Sequence, residues 1–339
     1  MEKINGNSLL MKEVNTNILR SVLRKEKYFT KQKLAKITGL SVVTVGTILN
    51  QLLKTGEVFE DKLISSKGGR PAHRFCYNKN FLNILTLCTY EKNKKDILSI
   101  IVSNILGEEI FKREEELKNP DWDFFINIID DTIKKYPLIK ALGISMPGQE
   151  SKGKIIIHDY DNLNNLNFIE FFENRYNFPV IFENDVNSAV IGYCKRENYI
   201  QNSAVIYIYF PEKYPPGAGI FINGKIYKGY MGTAGEIKYI PLEIDWENIN
   251  YSSEEKTIEN ISRLISSVSA ILNPEKIVIC GNFISESILK EAEKISRKFL
   301  KKIFVPEILI SKNFISDFEV GITELTLDLL IPKLSLQNK

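Results

Sequence analysis

Basic and small polar side chains in the first eighty residues have the types and spacing to contact a polyanion. Lys31, Lys33 and Lys36 lie close together, and lysines so placed meet phosphates without regard to base sequence. Ser41 opens a stretch with no Arg, Asn or Gln in its first two helical turns, and Val43, Thr44 and Thr47 lie along it. Methyl and hydroxyl groups of this kind suit thymine methyls and polar base edges, not bidentate reading of guanine. Arg70 follows Gly68 and Gly69, neighbours flexible enough to let an arginine enter the narrow minor groove of A/T-rich duplex. The expected interface is therefore Lys31, Lys33, Ser41, Val43, Thr44, Thr47, Gly69 and Arg70. Its expected partner is double-stranded DNA with an A/T-rich operator.

Charge supports the division. The chain is +3 overall, but residues 1–80 hold 15 Lys/Arg against 6 Asp/Glu, a net +9. The remainder holds 30 basic and 36 acidic residues, a net −6. A basic module on an acidic body fits a polyanion partner for the front end, though a solvated lysine-rich face would give the same balance. At 339 residues the chain is about twice the ~150-residue domain prior. No run approaches the ~18 apolar residues of a membrane span, and the first residues lack a secretory h-region. Cys76, Cys88, Cys194 and Cys280 form no C-x-x-C pair, and the only histidines are His73 and His158. That composition argues against a disulfide scaffold and against metal chemistry, and fits a reducing cytoplasm.

The elements that must position these residues follow from periodicity. Ile18, Leu19, Val22 and Leu23 give a helix over Asn15–Lys25. Thr30 caps a second helix, Gly39 makes the turn, and Ser41 caps a third that runs to about Lys54. Glu57–Asp61 and Arg74–Asn78 read as short strands around a Ser65–Pro71 tip. Together these predict a winged helix-turn-helix over residues 1–80. The rest, 81–339, reads as α/β: strands at Ile97–Val102, Ile139–Ile144, Val180–Phe182, Ala204–Tyr209, Gly219–Ile222 and Lys276–Ile279. Helices intervene at Trp122–Tyr136, Phe168–Tyr176, Asn187–Glu197 and Thr257–Leu272.

Specific segments then carry a resemblance. Gly143-Ile144-Ser145-Met146-Pro147-Gly148, Phe182-Glu183-Asn184-Asp185-Val186-Asn187-Ser188-Ala189 and the Gly217–Gly229 run occur in order. Gly232-Thr233-Ala234-Gly235-Glu236-Ile237 and Leu272–Ile279 follow. This chain resembles the ROK family of repressors and sugar kinases along nearly its whole length. The resemblance implies a two-lobed, actin-like and ribonuclease-H-like body, a dimer or tetramer, and a sugar effector contacted by Asn184, Asp185 and Glu236. Carboxylates and amides suit paired sugar hydroxyls; the plainer alternatives are Asp185 as a helix cap and Glu236 as a solvated loop residue.

The departures from the family are as informative. Phosphoryl transfer needs backbone amides brought close to phosphates. Where the resemblance places the first phosphate loop, near Leu85–Lys95, there is neither aspartate preceding a glycine pair nor any glycine. Pro211-Glu212-Lys213-Tyr214-Pro215-Pro216 stands where a second glycine loop is expected, and the third is reduced to Cys280-Gly281-Asn282. Prolines lack the N–H donor. Lys238-Tyr239 replaces the family's Gly-His, and no cysteine follows in Pro241–Tyr251, so a zinc of the family type lacks its thiolates. The expectation is a carbohydrate-responsive DNA-binding regulator, with no catalytic residue, cofactor or metal. The alternatives are an active sugar kinase, or a regulator whose body serves only as a ligand-independent oligomerisation scaffold.

Overall fold

The computed structural model describes residues 3–330 apart from 67–68, 119, 152–153, 157–159, 164–166, 200–202, 247–250, 252 and 302–304. The first unit comprises helices α1 (Lys3–Leu23), α2 (Lys31–Thr38) and α3 (Val42–Lys54) with strands β1 (Phe29–Thr30), β2 (Val58–Ser66) and β3 (Gly69–Tyr77). Leu19 and Leu23 of α1, Leu34 of α2 and Val45, Ile48, Leu49 and Leu52 of α3 recur at helical spacing and are buried. Thr30 caps α2 by accepting from the Lys33 N–H at 3.2 Å, and Gly39 ends it with φ 71°. Ser41 caps α3 by accepting from the Thr44 N–H at 3.0 Å, and the chain turns through 114° between the two helices. The strands pair antiparallel in the order β1-β3-β2.

Two boundaries differ from the sequence reading. The first helix begins at Lys3, not Asn15. β2 and β3 extend well beyond Glu57–Asp61 and Arg74–Asn78, with register irregularities between Asp61 and Ile64 and between Ile64 and Ser66. Backbone pairing, which Ser and Gly side chains do not prevent, carries both strands onward. Glu57 is not a strand-surface residue at all. It is buried and takes a bidentate bond from Arg20 (2.6 and 2.7 Å) and another from the Tyr77 hydroxyl (2.7 Å). The Glu57 bond raises the Arg20 guanidinium above its ordinary range, while burial pushes the Tyr77 phenol up to about 12.

The body contains two sheets of the same topology. The first has β4 (Asn83–Lys92), β5 (Lys95–Asn104), β6 (Glu109–Glu116), β7 (Ile139–Met146) and, after the hairpin β8 (Gln149–Ser151) and β9 (Lys154–Ile156), β10 (Val180–Asn184). Its order is β10-β7-β4-β5-β6. The second has β11 (Ala204–Tyr209), β12 (Gly217–Ile222), β13 (Lys225–Ile226), β14 (Lys276–Cys280) and β15 (Glu307–Ser311), in the order β13-β12-β11-β14-β15. Each is an antiparallel three-strand meander extended by two parallel strands, which need helical crossovers. α4 (Trp122–Lys135) and α5 (Phe168–Tyr176) cover the first sheet; α7 (Glu254–Leu272) and α8 (Glu286–Leu300) cover the second. Before α7, Trp246 packs beside Phe210, and Tyr251 stacks on Phe283 at 3.8 Å.

α6 (Asp185–Arg196) and α9 (Phe314–Asp328) lie between the sheets. α6 leaves the first sheet yet packs on β11 and β12; α9 leaves the second yet packs on β4 and β7. They cross at glycines. A Cβ on Gly192 would lie 1.8 Å from the Asp317 carbonyl oxygen, and one on Gly321 would lie 1.7 Å from that of Ser188. The far end of α9 reaches the first unit: Leu327 shares a buried cluster with Leu19, Leu23, Leu52, Ile84 and Ile105.

Gly192→Ala is expected to destabilise the protein by about 2–3 kcal/mol through overpacking against backbone that cannot move aside; an unchanged urea midpoint would refute the close crossing. Glu57→Ala, which strands Arg20, should cost about 2–3 kcal/mol by loss of charge-assisted bonds. A melt of Glu57→Ala indistinguishable from the parent would show that the network is not stabilising.

Candidate ligand cleft and nucleic-acid interface

The three expected sugar-contacting residues converge. Asn184, Asp185 and Glu236 line one cleft between the lobes, together with Gln149, Asn187 and Lys238. β10 delivers the first two because its last residue is the N-cap of α6. The Asn184 Oδ1 accepts from the Val186 and Asn187 N–H groups at 2.9 and 3.1 Å, and its Nδ2 donates to the Gly148 carbonyl at 3.2 Å. The cap is thus Asn184, not Asp185. Asp185 occupies the first helical turn and is buried at the cleft wall.

Glu236 arrives on a loop pressed against β12. Gly235 has φ 101°, and a Cβ there would fall 1.9 Å from the Ala218 carbonyl oxygen, so only glycine lets the loop lie so close. The Gln149 amide donates to Glu236 Oε1, and the Lys238 ammonium stands 3.9 Å from Oε2. Glu236 is therefore held from both lobes and is not a freely solvated loop residue. Beneath the cleft Glu183 takes bonds from Lys228 (2.7 Å), the Asn187 Nδ2 (3.0 Å) and the Asn184 N–H (3.1 Å). Gln149, Lys228 and the buried Glu183 were not singled out from sequence. Glu183 lies inside a quoted motif, but its role depends on a lysine from a distant loop.

The opposite side of the cleft is built from a tight turn and a proline-rich segment. Asn93 and Lys94 have φ 54° and 60° and close the β4–β5 hairpin in two residues, between the paired Lys92 and Lys95. Positive φ at both positions marks a type I′ turn, which leaves no open loop. The Pro211–Pro216 segment crosses from the second lobe to this hairpin. The Lys213 N–H donates to Glu91 at 3.0 Å, its ammonium to Asp96 at 2.9 Å, and the Tyr214 hydroxyl to Asp96 at 3.1 Å. Asn282 donates to Glu212 at 3.0 Å, which fastens the same strap to the reduced third loop. Burial, together with neighbouring Glu212 and Asp96, raises the Glu91 carboxyl. Burial likewise pushes the Tyr209 phenol, stacked on Phe314, above its ordinary range.

On the first unit, Val43 is 79% exposed and projects from the start of α3. The Ser41 hydroxyl is shared between its cap bond and the Thr44 hydroxyl, and the Thr47 hydroxyl donates to the Val43 carbonyl at 3.1 Å. The outer face of α3 thus directs methyls outward while its hydroxyls serve the helix. Lys31 lies 5.5 Å from the Phe75 ring centroid, Lys33 pairs with Glu26, and Lys36 is exposed. An exposed pair such as Lys33–Glu26 is worth little and gives way readily to a phosphate. Gly69 and Arg70 begin β3, with Gly69 paired to Ser66; the Arg70 side chain lies outside the described residues, as does His158. Among the described residues no three His, Cys, Asp or Glu side chains are grouped to hold a metal, and no single helix is long and apolar enough to cross a membrane.

Residues 107–251, which carry most of the cleft and the whole strap, match the ROK family model. The chain is 27% identical to the xylose repressor of Caldicellulosiruptor bescii, over 92% of this chain and 86% of that one. Its fold superimposes on a ROK family transcriptional regulator, a homologue of the Escherichia coli Mlc protein, with TM-score 0.69 and 16% identity over 95% and 98% of the two chains. It also superimposes on the ROK hexokinase of Thermus thermophilus, with TM-score 0.57 and 12% identity over 72% and 98%. Residues 107–251 therefore carry a ROK family domain, on a mixed α/β ROK fold, and supply most of the candidate cleft.

Proposed function

We propose that this protein is a sugar-responsive transcriptional regulator, and that it acts as a repressor. Residues 1–80 serve as a winged helix-turn-helix: α3 enters the major groove and the β2–β3 hairpin approaches the adjacent minor groove. Residues 81–339 serve as the sensor. The observation that carries this reading is the pairing of the two ends of the molecule. A capped helix pair with an outward methyl face stands at one end, and a cleft that gathers Asn184, Asp185 and Glu236 lies in the body. A dimer would present two copies of α3 to successive major grooves and read a palindromic, A/T-rich operator.

The cleft encloses about 110 Å³, below the ~300–1,000 Å³ of drug-sized sites. With the two-residue turn at Asn93–Lys94 and the strap bound to Asp96, this supports a protein without kinase activity or cofactor. The similarity to a xylose repressor makes D-xylose the first effector to try. A ligand shifts the DNA-bound equilibrium only if it binds the two conformations with different affinity. α9, which touches both the α6 crossing and the Leu327 cluster, is the element through which such a difference would travel.

DNA fragments selected on the full-length protein, with and without a sugar library, test the reading directly. Enrichment of a palindrome whose recovery changes with a sugar is the expected result; turnover of ATP on a hexose in a coupled ADP assay would overturn it. A sugar bound at 100 times its dissociation constant should stabilise the protein by ~2.7 kcal/mol. Arg70→Ala should cost about 1–3 kcal/mol on A/T-containing operators; an equal loss on every sequence would reduce Arg70 to a phosphate contact.

A further inference from the structure

One buried group in the cleft is unused by the protein. Asn187 is 5% exposed and lines the cleft. Its Nδ2 donates to Glu183 Oε1 at 3.0 Å, and Glu183 is itself fixed by Lys228. That bond sets the orientation of the amide, because a flip would turn its oxygen toward a carboxylate. The Asn187 Oδ1 is left buried with no hydrogen-bond partner in the protein, a costly arrangement unless a donor is brought to it.

The charges lining the cleft around it are mostly negative. Glu91, Asp96, Asp185 and Glu236 line the cleft, and Lys238 is the one cation among the described lining residues, placed beside Glu236. Asp96 already engages Lys213. The N-terminus of α6 would ordinarily favour an anion, but its Val186 and Asn187 N–H groups are both taken by the Asn184 side chain. The charged side chains lining the cleft are chiefly acceptors.

Taking the cleft as the sugar site proposed above, on which this rests, we infer that Asn187 Oδ1 is a ligand-reading acceptor. We infer further that the cleft takes a neutral or amine-bearing sugar and rejects its phosphorylated or carboxylated counterparts. A hydroxyl or ammonium donor satisfies the Asn187 oxygen and suits the carboxylates around it, whereas a phosphate or carboxylate meets like charge.

Calorimetric titration of the full-length protein with D-xylose, D-glucose, D-glucosamine, glucose 6-phosphate and D-glucuronate tests this. At least one of the first three should bind, with the two anionic compounds at least about tenfold weaker or silent. Asn187→Ala and the milder Asn187→Ser should weaken the bound sugar by about tenfold. In the unaltered protein, the Asn187 side-chain amide resonances should shift on binding, a readout that survives if the variants fail to fold. Tighter binding of glucose 6-phosphate or glucuronate overturns this inference while leaving the sugar site intact. Unchanged affinity in both folded variants, or unmoved Asn187 resonances with sugar bound, means that the oxygen is satisfied by water and overturns its role. Silence from all five compounds overturns the inference together with the reading beneath it.

Discussion

The architecture depends on a single backbone contact. α6 and α9 approach so closely at Gly192 and Gly321 that neither position has room for a methyl group. Each helix leaves one sheet and packs on the other, so the pair interlocks the lobes where a simple hinge would only join them. The same pair carries what matters at either end. α6 begins with the Asn184 cap and Asp185 at the cleft, and α9 ends at Leu327 in the core beneath α1 and α3. Interfaces packed this tightly shift between discrete arrangements more readily than they deform.

The cleft has two unlike halves: polar walls built by Asn184, Asp185 and Glu236, and a side closed by a tight turn and a proline-rich strap. The two-residue turn at Asn93–Lys94 and the strap held by Asp96 and Glu91 leave no open loop on that side. The strap spans the lobes, so its bonds to Glu91 and Asp96 help to set how far the lobes stand apart. The aromatic packing of Trp246, Tyr251, Phe210 and Phe283 likewise braces the second lobe.

Local signals in the sequence located much of this. β11 spans Ala204–Tyr209 and α5 spans Phe168–Tyr176, as read, because an apolar run and a helical stripe mark each one. The Thr30 and Ser41 caps were legible for the same reason, since a cap is local chemistry. β6 escaped notice because an edge strand of sequence Glu-Ile-Phe-Lys-Arg-Glu-Glu-Glu is mostly solvated and shows little apolar alternation. α8, rich in Lys and Glu, and α9, buried against two layers, also went unread. The cleft triad followed from motif resemblance, but its supports did not. Lys213 and Asp96 are 117 residues apart in sequence, and Glu183 meets a lysine from beyond β13; neither pairing leaves a periodic trace. The cap was misplaced by one residue because Asn184 and Asp185 are both competent for it.

The buried cluster that Leu327 shares with Leu19 and Leu52 bears on how the front end can be separated from the rest. It also includes Ile84, Ile105 and Ala141. A fragment severed after residue 80 would lose these closing side chains and present bare hydrocarbon where the body had covered it. The first unit is not a bead on a string: its floor is laid by the body, so any tilt in that floor is felt by the helices standing on it.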